Sequence, residues 1–173
     1  MAWTIDAAHS EITFTVRHMM ISNVRGRFEE FSGSVDLDES DLTTLKAEIA
    51  INTGTISTRD EKRDAHLRSD DFFASDRHPV ATFKATSVEK VGESRLKVQG
   101  DLKIRDITRP VTLDVEVSGP IRSPWGSTSI GFSGHTTINR TEWNLVWNQA
   151  LETGGILVGD DVKLNIELEL IKQ

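Results

Sequence analysis

The chain has 173 residues, no cysteine, and 27 acidic against 20 basic residues, a net charge of −7. That length suits one domain, read here as a single unit over residues 1–173, and lets roughly two-thirds of the unfolded surface be buried. Composition excludes disulfides and thiolate metal sites, and the acidic balance argues against nucleic acid and against anionic membrane surfaces as general partners.

The start, Met1-Ala2-Trp3-Thr4-Ile5-Asp6, has neither a basic n-region nor an apolar h-region, so the chain as given reads as cytoplasmic. No apolar run approaches the ~20 residues of a membrane-spanning helix. Strand-like alternation begins at Glu11, with Ile12, Phe14, Val16 and His18 on one face. Val24, Gly26 and Phe28 continue one phase, while Phe31, Gly33, Val35 and Leu37 take the opposite one. The slip at Glu29-Glu30 predicts a bulge or bend of the kind a barrel uses to curve.

Further period-2 runs follow at Leu45–Ile51, Ala81–Ala85, Leu96–Ile104, Val111–Val117, Ile130–Ile138 and Val162–Leu170. Gly92-Glu93-Ser94 predicts a hairpin turn. Asp106 to Pro110 predicts a tight connection with Pro110 opening a strand. Gly119-Pro120 and Pro124-Trp125-Gly126 bracket another loop, and Thr141 to Asp161, with Gly154-Gly155, reads as a long loop with a helical turn. One segment, Arg59 to Ser69, predicts a helix capped by Ser57 or Thr58, with Asp60 and Glu61 at the positive end of its dipole. Its obvious anchors are Ala65 and Leu67, so it should lie on or across the sheet layer.

Eight one-sided strands fit an all-β fold, either a closed antiparallel barrel or a two-sheet sandwich. Runs of about ten residues favour the extended barrel, and an eight-stranded barrel can hold one narrow ligand. Gly26, Gly33, Gly100 and Gly134 share the apolar phase and would leave room inside. A packed core would use the same residue types, so pattern alone leaves cavity and solid core both open.

The order of certain clusters narrows the choice. His9-Ser10 is followed by Ile12-Thr13-Phe14-Thr15-Val16-Arg17-His18 and by Val24-Arg25-Gly26-Arg27-Phe28. Thr58-Arg59-Asp60 leads to His66-Leu67-Arg68-Ser69-Asp70-Asp71-Phe72-Phe73, the most specific string. Gly100-Asp101-Leu102, Thr108-Arg109-Pro110-Val111, Ile138-Asn139-Arg140 with Trp143 and Leu145, and Val158-Gly159-Asp160-Asp161-Val162 complete the set. The chain resembles the YceI-like polyisoprenoid-binding family across nearly its whole length. The resemblance implies a lipocalin-type eight-stranded barrel with a helical segment beside it. It also implies a long channel for a polyprenyl chain, in some members with a diphosphate head. Asn144 and Asp106 stand where that family often has glycine.

Function is therefore expected to be non-enzymatic carriage or sequestration of a long isoprenoid-type lipid, a polyprenyl chain, polyprenyl diphosphate or quinone, with no cofactor and no metal. The channel is assigned to Phe14, Val16, His18, Phe28, Phe72, Phe73, Phe83, Val98, Leu102, Val115, Phe132, Ile138 and Trp143. Arg59, Arg63, His66 and Arg68 are assigned to an anionic head; the three arginines form, with Lys62, the densest basic cluster. Arg17, Arg25, Arg27 and Arg140 are rivals for that role. Two other readings stand beside this one: a barrel-mouth enzyme using His18 or His66, and a packed structural or interaction barrel. A homodimer is plausible from the resemblance and from the loop tryptophans Trp125, Trp143 and Trp147. Nucleophile elbows and phosphate-binding glycine loops are absent from the sequence, and Asp36–Ala47 fails as a calcium loop at its sixth and twelfth positions.

Overall fold

The structure, a computed structural model, describes residues 2–149, 151 and 157–172. Its strands are β1 (Ala2–Ile5), β2 (Glu11–His18), β3 (Ser22–Phe28), β4 (Phe31–Asp38), β5 (Asp41–Asn52), β6 (Ile56–Ser57), β7 (Val80–Lys90), β8 (Arg95–Ile104), β9 (Ile107–Arg122), β10 (Thr128–Asn139) and β11 (Val158–Lys172). One α-helix, α1 (Glu61–Arg68), lies between β6 and β7.

These strands fill eight positions round a closed antiparallel barrel. β1 and β2 share one position beside β11, where Ile5 faces Leu170 and Glu11 faces Glu167; a 3-10 turn over Ala7–His9 interrupts them. β3 and β4 share the next position. β3 pairs with β2, while β4 pairs with β1 and β5. The break at Glu29-Glu30 is thus the expected bend, placed where one long strand changes partner. From β5 the sheet runs through β7, β8, β9 and β10 to β11, and the β1–β11 pairing closes it. Alternation inside and out follows the period of the sequence: β8 is alternately exposed and buried along its whole length.

Local chemistry explains the differences from expectation. The cap of α1 is Asp60, whose carboxylate accepts from the Lys62 and Arg63 amides, and not Ser57 or Thr58. Ala65 is exposed; the helix is held instead by Leu67, Arg63 and the buried Asp64. The β8–β9 connection is only Arg105-Asp106, so Pro110 lies within β9 opposite Asp101. β9 has no β10 partner before Asp114, so a proline there breaks no hydrogen bond on that side. Gly119-Pro120 also falls inside β9, at the bulge opposite Ser129 to Gly131, and the turn proper is 123–127. The helical turn expected after β10 is a 3-10 turn, Arg140–Trp143; Gly154-Gly155 lies outside the described residues.

Both departures from the family pattern are accounted for by backbone geometry. Asn144 ends that 3-10 turn in the left-handed region at φ 61°, which asparagine tolerates better than other non-glycine residues. In the β8–β9 turn the positive φ falls on Arg105, not on Asp106.

Candidate functional site

A cavity of about 460 Å³ occupies the barrel. At its closed end Trp3, Leu37, Leu96, Val117 and Ile130 are buried against one another and do not line it. Along its wall run the inward side chains of the long strands, among them Phe14, Val16, Ile49, Phe83, Val98 and Phe132. Leu164, Ile166 and Leu168 on β11 and Val111 on β9 line the cavity yet remain only half-buried. Void, not protein, lies against them, so the barrel is not filled to interior density.

Of the assigned channel residues, Phe14, Val16, His18, Phe28, Phe72, Phe73, Phe83, Val98, Leu102, Val115, Phe132 and Ile138 all line the cavity. Trp143 does not. It is 1% exposed, and its Nε1 donates to the Leu102 carbonyl at 2.9 Å, which makes it a wedge at the end of β8. Trp147 takes the lining position instead. Three of the four glycines on the apolar phase give less room than expected. A Cβ at Gly26 would overlap the Phe14 ring, and one at Gly100 the Phe83 ring, so that space seats aromatics. Gly33 is exposed. Gly134 does open onto the cavity, where a Cβ would meet Val115 no closer than 3.6 Å.

The mouth is framed by α1, the β2–β3 turn, residues 145–149 and residues 157–158. Phe14, Phe28 and Phe73 form a chain of rings with centroids 5.8 and 5.7 Å apart. His66 stands edge-on between Phe72 at 5.1 Å and Trp147 at 4.5 Å, with Nε2 2.9 Å from the Asp71 carboxylate. The aromatic string after the helix therefore plugs the end and lines the cavity at once.

Charge on the cavity lining has one sign; the carboxylates of Asp71 and Asp160 pair with His66 and Arg140 from outside it. Arg17, Lys62, Arg63 and Arg140 line the cavity, with His18 and His66, and no carboxylate does among the described residues. In so acidic a chain that segregation is the main electrostatic feature of the site. Arg63 is positioned by Thr58, donating from Nε to Oγ1 at 2.7 Å and from Nη2 to the carbonyl at 2.8 Å. Thr58 is in turn held by the buried Asp64, which accepts from its amide and hydroxyl. Nη1 of Arg63 takes no hydrogen bond among the described residues, so it is available to an incoming acceptor.

Arg140 has a different task. It is 4% exposed, and it donates to the carbonyls of Gly159, Leu145, Trp147 and Val158. The guanidinium rivets the mouth segment to β11, and burial pushes its pKa below the usual arginine range. Of the residues assigned to a head group, Arg63 and His66 reach the cavity. Arg59 is exposed outside it, and Arg68 pairs with Glu61 on the outer side of α1. Arg17, a rival for the head-group role, Lys62, from the basic cluster, and Trp147, outside the assigned channel set, join the site. Arg17 has the outward phase of β2 and reaches the cavity only because it sits at the strand's end, which periodicity does not reveal.

The YceI-like domain profile matches residues 3–170. The chain belongs to the YceI-like family. A UPF0312 protein of Staphylococcus aureus (strain USA300) is 43% identical over 168 residues, covering 96% of this chain and 95% of the relative. Among solved structures, Burkholderia cenocepacia BcnA superposes with a TM-score of 0.84 at 23% identity, covering 95% of this chain and 98% of that one. A polyisoprenoid binding domain from Saccharophagus degradans, implicated in plant cell wall breakdown, gives 0.70 at 16% identity, with 97% of each chain covered. At those identities the two structures establish the fold, and this YceI-like chain shares it from end to end.

Proposed function

We propose that this protein binds a long isoprenoid-type lipid inside the barrel and carries or sequesters it without chemical change. The observation that carries the reading is the cavity itself: about 460 Å³, apolar along its length and ringed by cations only at its mouth. That volume lies within the range of about 300–1,000 Å³ typical of small-molecule sites. A branched hydrocarbon chain gains about 0.8 kcal/mol for each CH₂ taken from water, and ordering the flexible chain offsets much of the sum. The mouth suits an anionic or polar head, with Lys62 and the open Nη1 of Arg63 nearest. The family membership and the polyisoprenoid-binding neighbour support the same ligand class.

Gly134→Leu is the discriminating variant. A Cβ there meets nothing closer than 3.6 Å, and the rest of the side chain would project into the cavity that Gly134 lines. Titration with a fluorescent polyprenyl probe should show affinity lost or stoichiometry cut, while the fold survives. Undiminished uptake by Gly134→Leu would mean that the lipid does not occupy the barrel.

A further inference from the structure

The turn between β2 and β3 carries three consecutive apolar residues into solvent: Met19, Met20 and Ile21 are 42%, 55% and 76% exposed. Two observations separate this from an ordinary exposed turn. First, the turn is closed by the Ile21 amide donating to the His18 carbonyl, and Met19 and Met20 hold φ of 52° and 62°. Tight turns of that hand select glycine, asparagine or aspartate, because a larger side chain is strained there. Here two methionines occupy it. Second, the turn is continuous with the cavity mouth. The Met19 amide donates to the carbonyl of Leu157, a lining residue, and Arg17 Nη2 donates to the Met20 carbonyl. Val146, 56% exposed, stands between lining residues Leu145 and Trp147 on the segment that Arg140 ties to the same rim.

We infer that this tip is a membrane-docking surface: Met19, Met20 and Ile21 enter the interface of a lipid bilayer while Arg17, Lys62 and Arg63 face lipid phosphates, setting the mouth against the membrane. The net charge of −7 does not oppose this. Screening extends only about 8 Å at physiological ionic strength and β9 alone runs 16 residues, about 50 Å, so distant carboxylates do not reach the contact; Asp71 and Asp160 at the rim are paired with His66 and Arg140. Flexible methionines suit a surface that must fit disordered acyl chains. The inference extends the lipid-binding reading, since a mouth pressed to the bilayer gives a membrane-dissolved chain a path that avoids water.

The molecule supplies its own control. Trp125, 89% exposed, lies in the β9–β10 turn at the opposite end of the barrel. Co-sedimentation with vesicles of mixed phosphatidylcholine and phosphatidylglycerol should bind the unaltered protein. Replacing Met19, Met20 and Ile21 together by serine should weaken binding at least tenfold, and Trp125→Ser should leave it unchanged. Because the chain has no cysteine, Ile21→Cys and Trp125→Cys each accept a single polarity-sensitive dye. Emission should shift to the blue on vesicles for position 21 and not for position 125. This second measurement holds even if the triple variant folds poorly. No vesicle binding by the unaltered protein, equal binding by the triple variant, or a shift at position 125 alone would overturn the inference. So would a tip that proves to join two copies of the chain and leaves vesicles untouched. Uptake of a polyprenyl probe presented in detergent separates the two claims: uptake without docking refutes the docking alone, and docking without uptake refutes the carrier reading.

Discussion

The ring of Phe14 lies across Gly26 on the neighbouring strand, in the volume that a side chain at Gly26 would need. A glycine that reads as room for a ligand is room for a wall residue, and the width of the cavity depends on that seating. Gly26→Val should therefore force Phe14 off its rotamer, costing about 1–3 kcal/mol as overpacking does. Urea denaturation would show the loss, with reduced probe capacity beside it. Unchanged stability would mean that Phe14 has another place to go.

Gly134 offers the opposite case. Its neighbours stand back at 3.6 Å or more, so Gly134→Leu should keep or slightly raise stability, by up to about 0.5–1 kcal/mol from reduced chain entropy in the strand. Lipid uptake should fall in the same protein. A thermal melt and a probe titration on one preparation separate the two effects.

Arg140 is expected to matter for the fold more than for the ligand. In Arg140→Met the carbonyls of Leu145, Trp147, Val158 and Gly159 lose this donor; Val158 keeps the Asn148 side-chain amide, and the buried Leu145 acceptor left unpaired costs on the order of 1–3 kcal/mol. Hydrogen exchange should quicken in 145–149 and at the start of β11 before it changes in β8. Uniform protection would show that the rivet is redundant.

These cases mark what could be read from the residues in order. Period-2 alternation locates the long strands and the inward set, because side-chain direction in a strand is a local property. It locates the bend at Glu29-Glu30 for the same reason. It does not find β1, whose four residues are too few to show a period. Nor can it separate Trp143 from Trp147 or Arg63 from Arg59, since which member of a loop or helix reaches the cavity is decided by tertiary packing. The role of Arg140 leaves no local signal at all: its partners lie 5 to 19 residues further along the chain.

Head-group recognition should divide the basic residues. Lys62→Gln and Arg63→Gln are expected to weaken a prenyl diphosphate, each by up to roughly 1.5–3 kcal/mol where water is excluded, and to spare an uncharged prenyl alcohol. Arg59→Gln and Arg68→Gln, outside the cavity, should change neither. Equal losses for both ligands would assign Lys62 and Arg63 to the fold.

Outside the barrel, His9 Nδ1 donates to the Asp6 carboxylate at 2.6 Å and lies 3.4 Å from Glu169. The Asp6 hydrogen bond raises the His9 pKa, with help from both carboxylates, and the same bond lowers that of Asp6. The His9 contribution to stability is thus fully present below its unfolded pKa and lost as pH rises through the higher folded one. The Asp6 contribution is present above its unfolded pKa and lost as pH falls through the lower folded one. NMR titration should show His9 above the ordinary histidine range, returning to it in Asp6→Asn. A normal value in the unaltered protein would contradict the pairing.

Whether the barrel holds a long apolar molecule is read from what the purified protein carries. Protein isolated without detergent is extracted with organic solvent, and the extract is run by mass spectrometry against that of Gly134→Leu. An isoprenoid-type lipid is expected at near-stoichiometric amount in the unaltered protein and little in the variant. An extract free of lipid, from a protein that also fails to take up an added polyprenyl probe, would contradict it.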